Sequence, residues 1–218
     1  DQGFIHSSTI GMASDPILVV NYVDPDGLPI FMKEFETAVE GNPTPTQIGG
    51  LNTRSDSSIM ITGSVNELNS YFLTAFDSLQ NTSFASYFRD TTNTDIQYFG
   101  HTVKNTVDTG FVVAGRMIIP VMMDTIFSSF VAKHDSLGNV VWAKRIGLGN
   151  NETSIINGLV VDADNSITVG ISAQLVDMDS TVNIIAKLDG NGDMIWNKLY
   201  DKSEVNLNEF GSFSKAAD

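Results

Sequence analysis

The side chains able to do acid–base, metal or nucleophilic chemistry are few and scattered. His6, His101 and His134 are the three imidazoles of a chain that has no cysteine. None of them has a partner ligand at i+2 or i+4, so no local spacing supports a histidine metal cluster. His134 alternates with Lys133 and Asp135, the position of a strand residue facing solvent or a neighbouring sheet. Without cysteine there is neither disulfide nor thiolate chemistry. No Ser, His and Asp stand at a suggestive spacing, although a triad is assembled in space rather than along the chain.

The oxygen-rich segments are better read as turns. Asp189-Gly190-Asn191-Gly192-Asp193 alternates ligand oxygens like the first half of a calcium loop, but Tyr200 stands where the loop needs its bidentate glutamate. The matching stretches Asp135-Ser136-Leu137-Gly138-Asn139 and Asp24-Pro25-Asp26-Gly27 lack that alternation, so a hairpin turn is expected and no metal. Glu34, Glu36 and Glu40 sit beside one strand end and read as a solvated edge. Gly147-Leu148-Gly149-Asn150 lacks the lysine and the following helix of a phosphate loop. Asn81-Thr82-Ser83 and Asn151-Glu152-Thr153 fit the glycosylation acceptor pattern, which has meaning only in a eukaryotic secretory route. No cofactor is expected.

Composition narrows the classes further. With 218 residues, 42% hydrophobic and 13 of them Phe, the chain can fill a core. A net charge of −14 opposes nucleic-acid phosphates and anionic membranes. The run Met117-Ile118-Ile119-Pro120-Val121-Met122-Met123 is too short to cross a bilayer. Methionines around a proline instead make a soft, adaptable surface. If exposed, Met117, Ile118, Ile119, Val121, Met122 and Met123 would form a contact patch for another protein or subunit. The alternative is a longer strand whose residues pack inward. The first residue is Asp1, which reads as processed material or part of a longer protein.

What positions these residues is a repeat of about 54 residues. Its clearest copies are Phe130-Val131-Ala132-Lys133-His134-Asp135, continuing to Val140-Val141-Trp142-Ala143-Lys144, and Ile184-Ile185-Ala186-Lys187-Leu188-Asp189, continuing to Met194-Ile195-Trp196-Asn197-Lys198. In four copies an Asp precedes an aromatic by seven positions: Asp24 and Phe31, Asp77 and Phe84, Asp135 and Trp142, Asp189 and Trp196. A second strand keeps the same beat in Ser58–Gly63, Gly110–Gly115 and Ser166–Gly170. The segments are short, rich in Val, Ile, Phe and Thr, and bounded by Gly, Asn, Asp and Pro, as strands and hairpin turns require.

The expected fold is therefore all-β: four tandem four-stranded antiparallel blades of a β-propeller type. The units fall at about 1–40, 41–95, 96–150 and 151–200, with 201–218 a further inner strand. Both ends lie at the same phase of the repeat, so the blades either close a four-bladed ring or belong to a larger propeller. The recurring aromatic is the natural filler between adjacent sheets. The recurring Asp is placed to accept backbone N–H bonds in its turn.

The pattern Ala-Lys-x-Asp-x-x-Gly-Asn-x-x-Trp-x-Lys, strongest in residues 129–200, resembles the bacterial SBBP-type β-propeller repeats of large secreted and cell-surface proteins. In the first half of the chain Trp becomes Phe and the Gly-Asn turn is degraded. The resemblance implies an extracellular or cell-surface location, a part in adhesion, structure or ligand binding, and no transferable catalytic residues. Its partners would be another protein, other domains of a larger assembly, or a glycan. The competing expectation is a propeller enzyme, glycoside-hydrolase-like or quinoprotein-like, with carboxylates converging in a central channel. The quinoprotein motif places its Trp eight positions after the Asp, and here the spacing is seven.

Overall fold

A computed structural model describes the chain apart from residues 1–3, 11–16, 27, 37, 40–41, 44–45, 55–57, 66–67, 78–80, 122–123, 148–151, 176–179 and 202–218. The described residues are all-β and form four main antiparallel sheets. The first has three strands, β1 (Phe4–Ile10), β2 (Ile17–Val23) and β3 (Pro29–Glu36). A short hairpin of β4 (Ala38–Val39) and β5 (Asn42–Pro43) follows. The second sheet contains β6 (Thr46–Thr53), β7 (Ile59–Val65), β8 (Ser70–Phe76) and β9 (Thr82–Phe88). The third contains β10 (Gln97–Asn105), β11 (Phe111–Val121), β12 (Asp124–His134) and β13 (Val140–Ile146). The fourth contains β14 (Glu152–Val161), β15 (Ile167–Leu175), β16 (Ser180–Leu188) and β17 (Met194–Asp201). Strands pair in chain order within every sheet.

Three sheets thus have the four strands expected of each unit, and the first has three. The inner strand expected in 201–218 lies outside the described residues, except for Asp201 at the end of β17. Neighbouring sheets contact one another in sequence, and among the described residues the row is not closed into a ring.

The pairing register repeats as the sequence does. The last hairpin of each sheet carries a bulge just before the repeated Asp, at Tyr22/Val23, Ala75/Phe76, Lys133/His134 and Lys187/Leu188. A second bulge recurs between the first two strands of the later sheets, at Ile48/Gly50, Gly100/Thr102 and Ile156/Gly158. One extra residue at a fixed place bends and twists each sheet in the same way.

Period-two alternation divides each central strand between two layers. On β7, Ile59 and Ile61 enter a cluster with Phe72 and Phe76, while Met60 points the other way. Met60, Tyr71 and Leu73 of the second sheet meet Val103, Phe111, Val113 and Phe130 of the third. On β11, Val112 and Ala114 turn away from that layer and pack with Leu159, Ile167, Val169 and Ile184 of the fourth sheet. The central strands are therefore buried on both faces, which is why they read as unbroken apolar runs. The outer strand β13 alternates between exposed and half-buried positions.

Candidate functional site

The four repeated aspartates occupy one kind of turn. The N–H of Asp24, Asp77, Asp135 and Asp189 bonds the carbonyl four residues ahead, at 2.9 Å each time. Each carboxylate oxygen Oδ1 then accepts N–H groups inside the loop. Asp135 takes those of Leu137 (2.9 Å) and Asn139 (2.8 Å), and Asp189 those of Asn191 and Asp193 (both 2.9 Å). Asp24 takes Asp26 (3.0 Å) and Leu28 (2.8 Å), and Asp77 takes Asn81 (2.8 Å). For Asp135, bonds from the Asn139 side chain and backbone, with a lesser one from Leu137, outweigh the opposing effect of burial and hold the carboxyl below its usual range. These lone pairs are engaged by the loop itself, as in an Asx-type turn.

The repeated aromatics use the same turns from the sheet before. Phe84 lies over Gly138 and Trp142 lies over Gly192. Both glycines are left-handed, with φ of 87° and 80°. A Cβ at Gly138 would stand 2.6 Å from the Phe84 ring, and one at Gly192 would stand 2.9 Å from the Trp142 ring. Glycine is needed here for its backbone and for the space above it. At the junction of the third and fourth sheets polar bonds reinforce the stack. Trp142 Nε1–H donates to the Gly190 carbonyl at 3.1 Å. Lys133 Nζ lies 2.6 Å from Asp108 and 3.4 Å from the same carbonyl, and Lys144 Nζ lies 2.6 Å from Asp193. Burial pushes the Asp108 carboxyl up, but bonds including that from Lys133 outweigh it and leave it below its usual range.

Trp196 occupies the equivalent position on the fourth sheet but is 44% exposed. Phe31 lies on β3 opposite Tyr22; its side chain is not described.

The junction of the second and third sheets differs in one way. Ala75 and Phe84 stand where Lys133 and Trp142 stand one repeat later. The smaller side chains leave a cleft of about 260 Å³, bordered by Arg54, Asp77, Ser83, Phe84, Phe111 and Ser136. Arg54 donates from Nη2 to the Thr109 carbonyl at 3.1 Å, and its guanidinium carbon lies 5.4 Å from the Phe111 ring centroid. A cation over an aromatic face, with hydroxyls beside it, could hold a small polar ligand. In the sequence this junction is marked by Ala75 in place of a lysine and Phe84 in place of a tryptophan.

The histidines are not brought together in one site. His134 is fully buried between the second and third sheets. Its Nε2 lies 2.9 Å from the Tyr71 hydroxyl and its Nδ1 lies 3.0 Å from the Gly138 carbonyl. Burial pushes its pKa down to about 4, against smaller raising effects of Gly138 and Asp135. Burial, aided by Tyr98, pushes the Tyr71 hydroxyl far up. The partners therefore assign a neutral ring: Nδ1–H donates to Gly138 and Nε2 accepts from Tyr71. This bond ties β8 to β12 across the junction. Tyr71→Phe is expected to cost about 1–2 kcal/mol in urea unfolding, because it leaves Nε2 an unpaired buried acceptor.

His101 lies on β10, where burial first and Arg116 second lower its pKa. His6 lies on β1, with its side chain not described. Among the described residues no three His, Cys, Asp or Glu side chains are grouped to hold a metal. Glu34 and Glu36 lie on β3 with side chains not described, and Glu40 is outside the described residues.

The methionine-rich segment is the far end of a long hairpin, paired as far as Val121 opposite Asp124. Met117 is only 7% exposed and belongs to the core. Ile118 is half-buried, Ile119 packs against the same cluster, and Val121 is exposed. Met122 and Met123 lie outside the described residues. A strand longer than its counterparts accounts for the described part of this segment.

No protein-family model matches the chain, and no curated protein matches it by sequence. Among solved structures, a crystal structure of the eukaryotic initiation factor is similar over 91% of this chain, at 9% identity and a TM-score of 0.43. The chain spans 53% of that protein's length. A member of the DUF4221 family from Bacteroides vulgatus is similar over 89% of this chain and 81% of its own, at 9% identity and a TM-score of 0.32.

Proposed function

We infer that the chain is a non-catalytic β-propeller-type module, with its four sheets as successive blades, acting in structure, adhesion or binding. The observation that carries this reading is the repeated lock between sheets. The residues that recur most faithfully are occupied in holding one sheet to the next: the aspartates in their turns, Phe84 and Trp142 on the following glycines. A catalytic group is needed once, whereas a docking group is needed at every junction. His134, fully buried, is engaged on both nitrogens by the scaffold, which leaves it no free base for substrate. The resemblance of residues 129–200 to SBBP-type repeats supports a secreted or cell-surface setting within a larger assembly.

A ligand-binding role is the second reading, favoured by the unfilled cleft at Arg54. Both readings oppose a propeller hydrolase, which needs carboxylates converging on one channel. The setting is tested by treating intact source cells with a protease and mapping the released peptides. Release of peptides from this sequence is expected; their retention until lysis would contradict a surface location.

A further inference from the structure

The turn between the first two strands of a sheet carries an ionic partner in the third and fourth sheets. In the fourth, Asp162 opens that turn and holds Lys187 of β16 at 3.0 Å; in the third, Asp108 lies in it and holds Lys133 of β12 at 2.6 Å. The second sheet departs from this at both members. Its turn opens with Arg54, whose N–H bonds the Ser58 carbonyl at 2.9 Å, just as the Asp162 N–H bonds that of Ser166. Ala75 stands where the two lysines stand. The cation has moved from the strand to the turn, and among the described residues no carboxylate is ion-paired with it. Phe84, in the place of Trp142, is a third departure at the same junction.

All three departures border the cleft of about 260 Å³. Much of its wall is apolar, with Met60, Ala75, Phe84 and Phe111 among the lining side chains. Its cation is the Arg54 guanidinium, held by one bond to the Thr109 carbonyl and by the Phe111 ring. A guanidinium held in this way keeps further N–H donors, and a carboxylate is the group whose geometry matches them. Asp77, the described carboxylate on the border, already accepts from Asn81 through both oxygens, at 2.8 and 3.1 Å. A cavity of about 150 Å³ holds a benzene ring, so this cleft has room for a ring and a charged group. An inorganic anion would satisfy the guanidinium but leave the apolar wall uncovered. We propose that the cleft binds a small monocarboxylate with an apolar, ring-sized body, its carboxylate on Arg54 and its body against Phe84 and Phe111. The inference rests on the ligand-binding reading of the cleft and gives that reading its ligand class.

Phenylacetate and its neutral analogue phenylacetamide serve as probes, each titrated against the whole chain by ligand-observed NMR, with the fold of every variant checked by circular dichroism. Phenylacetate is expected to bind at least about tenfold more tightly than the amide, which lacks the charge-assisted pair with Arg54. Arg54→Gln is expected to erase that preference and leave the two probes equal. Phe84→Trp restores the side chain that the next repeat carries at Trp142, and is expected to fill the cleft and abolish binding of both probes. Either variant decides alone if the other does not fold. An amide that binds the wild-type chain as well as the acid does overturns the carboxylate class and leaves the ligand-binding reading standing. Failure of both probes to bind overturns the two together. A preference for phenylacetate that survives Arg54→Gln, or binding that survives Phe84→Trp, would place the probe elsewhere and overturn the proposal as well.

Discussion

Replacing Trp142 with alanine is expected to lower stability by about 3 kcal/mol, whereas Trp196→Ala in the isolated chain costs less than about 1 kcal/mol. The two tryptophans occupy the same position of the same motif, so local sequence does not separate them. What differs is the neighbour. Trp142 covers the Gly192 turn and donates to the Gly190 carbonyl, while Trp196 is 44% exposed. Truncating Trp142 removes a large buried contact area, leaves a void above a left-handed glycine, and strips the Gly190 carbonyl of its indole donor. Lys133 would then hold that carbonyl alone at 3.4 Å. Urea unfolding of the two variants at low protein concentration measures both costs. Equal losses would mean that the aromatic stabilises its own sheet rather than the junction.

A second large effect follows from His134. Its pKa is about 4 in the fold and 6.5 when unperturbed. The unfolded chain therefore takes up the proton first, so this site's contribution is fully present above pH 6.5. It declines as pH falls from 6.5 towards 4, and is flat below. Between pH 7.5 and pH 4.5 the loss is about 2.5 kcal/mol. His101 has the same sign, since burial and Arg116 lower its pKa too. The aspartates held low, Asp90, Asp108, Asp135 and Asp164, lose stability only as pH falls through the lower carboxylate range. The groups against the His134 ring are Tyr71 and Phe88 from the second sheet and Gly138 and Asp135 from its own hairpin. His134→Gln is expected to remove most of the slope between pH 4.5 and 6.5, with the remainder assigned to His101→Gln. A slope unchanged in His134→Gln would contradict the buried neutral ring.

The alternation of Lys133, His134 and Asp135 identified a strand and left two places for the imidazole, solvent or a neighbouring sheet. The structure places it against the neighbour, because the bulge at Lys133/His134 and the pleat turn it towards β8. Tyr71, its partner, lies 63 positions away and carries no local signal. The beat of Asp and aromatic was legible because turns impose it locally: at Gly138 and Gly192 only Gly tolerates both the positive φ and the ring above it. The cleft at Arg54 was not legible, since a void arises from what two facing sheets fail to fill. Nor was the burial of Met117, which depends on how far the β11–β12 hairpin extends beyond its counterparts.

The central claim is that the second sheet is locked to the third, and the third to the fourth, by an aromatic resting on a turn glycine, and a double-mutant cycle between Trp142 and Gly192 tests it most directly. In the wild-type chain Gly192→Ala is expected to cost about 2–3 kcal/mol, part from the left-handed backbone and part from the methyl meeting the indole. In the Trp142→Ala chain the methyl enters vacated space, and the same change is expected to cost only about 1 kcal/mol. A difference of at least about 1 kcal/mol between backgrounds is the result predicted. An identical cost in both would show that Trp142 does not rest on that turn, and the account of how the sheets are joined would fail with it.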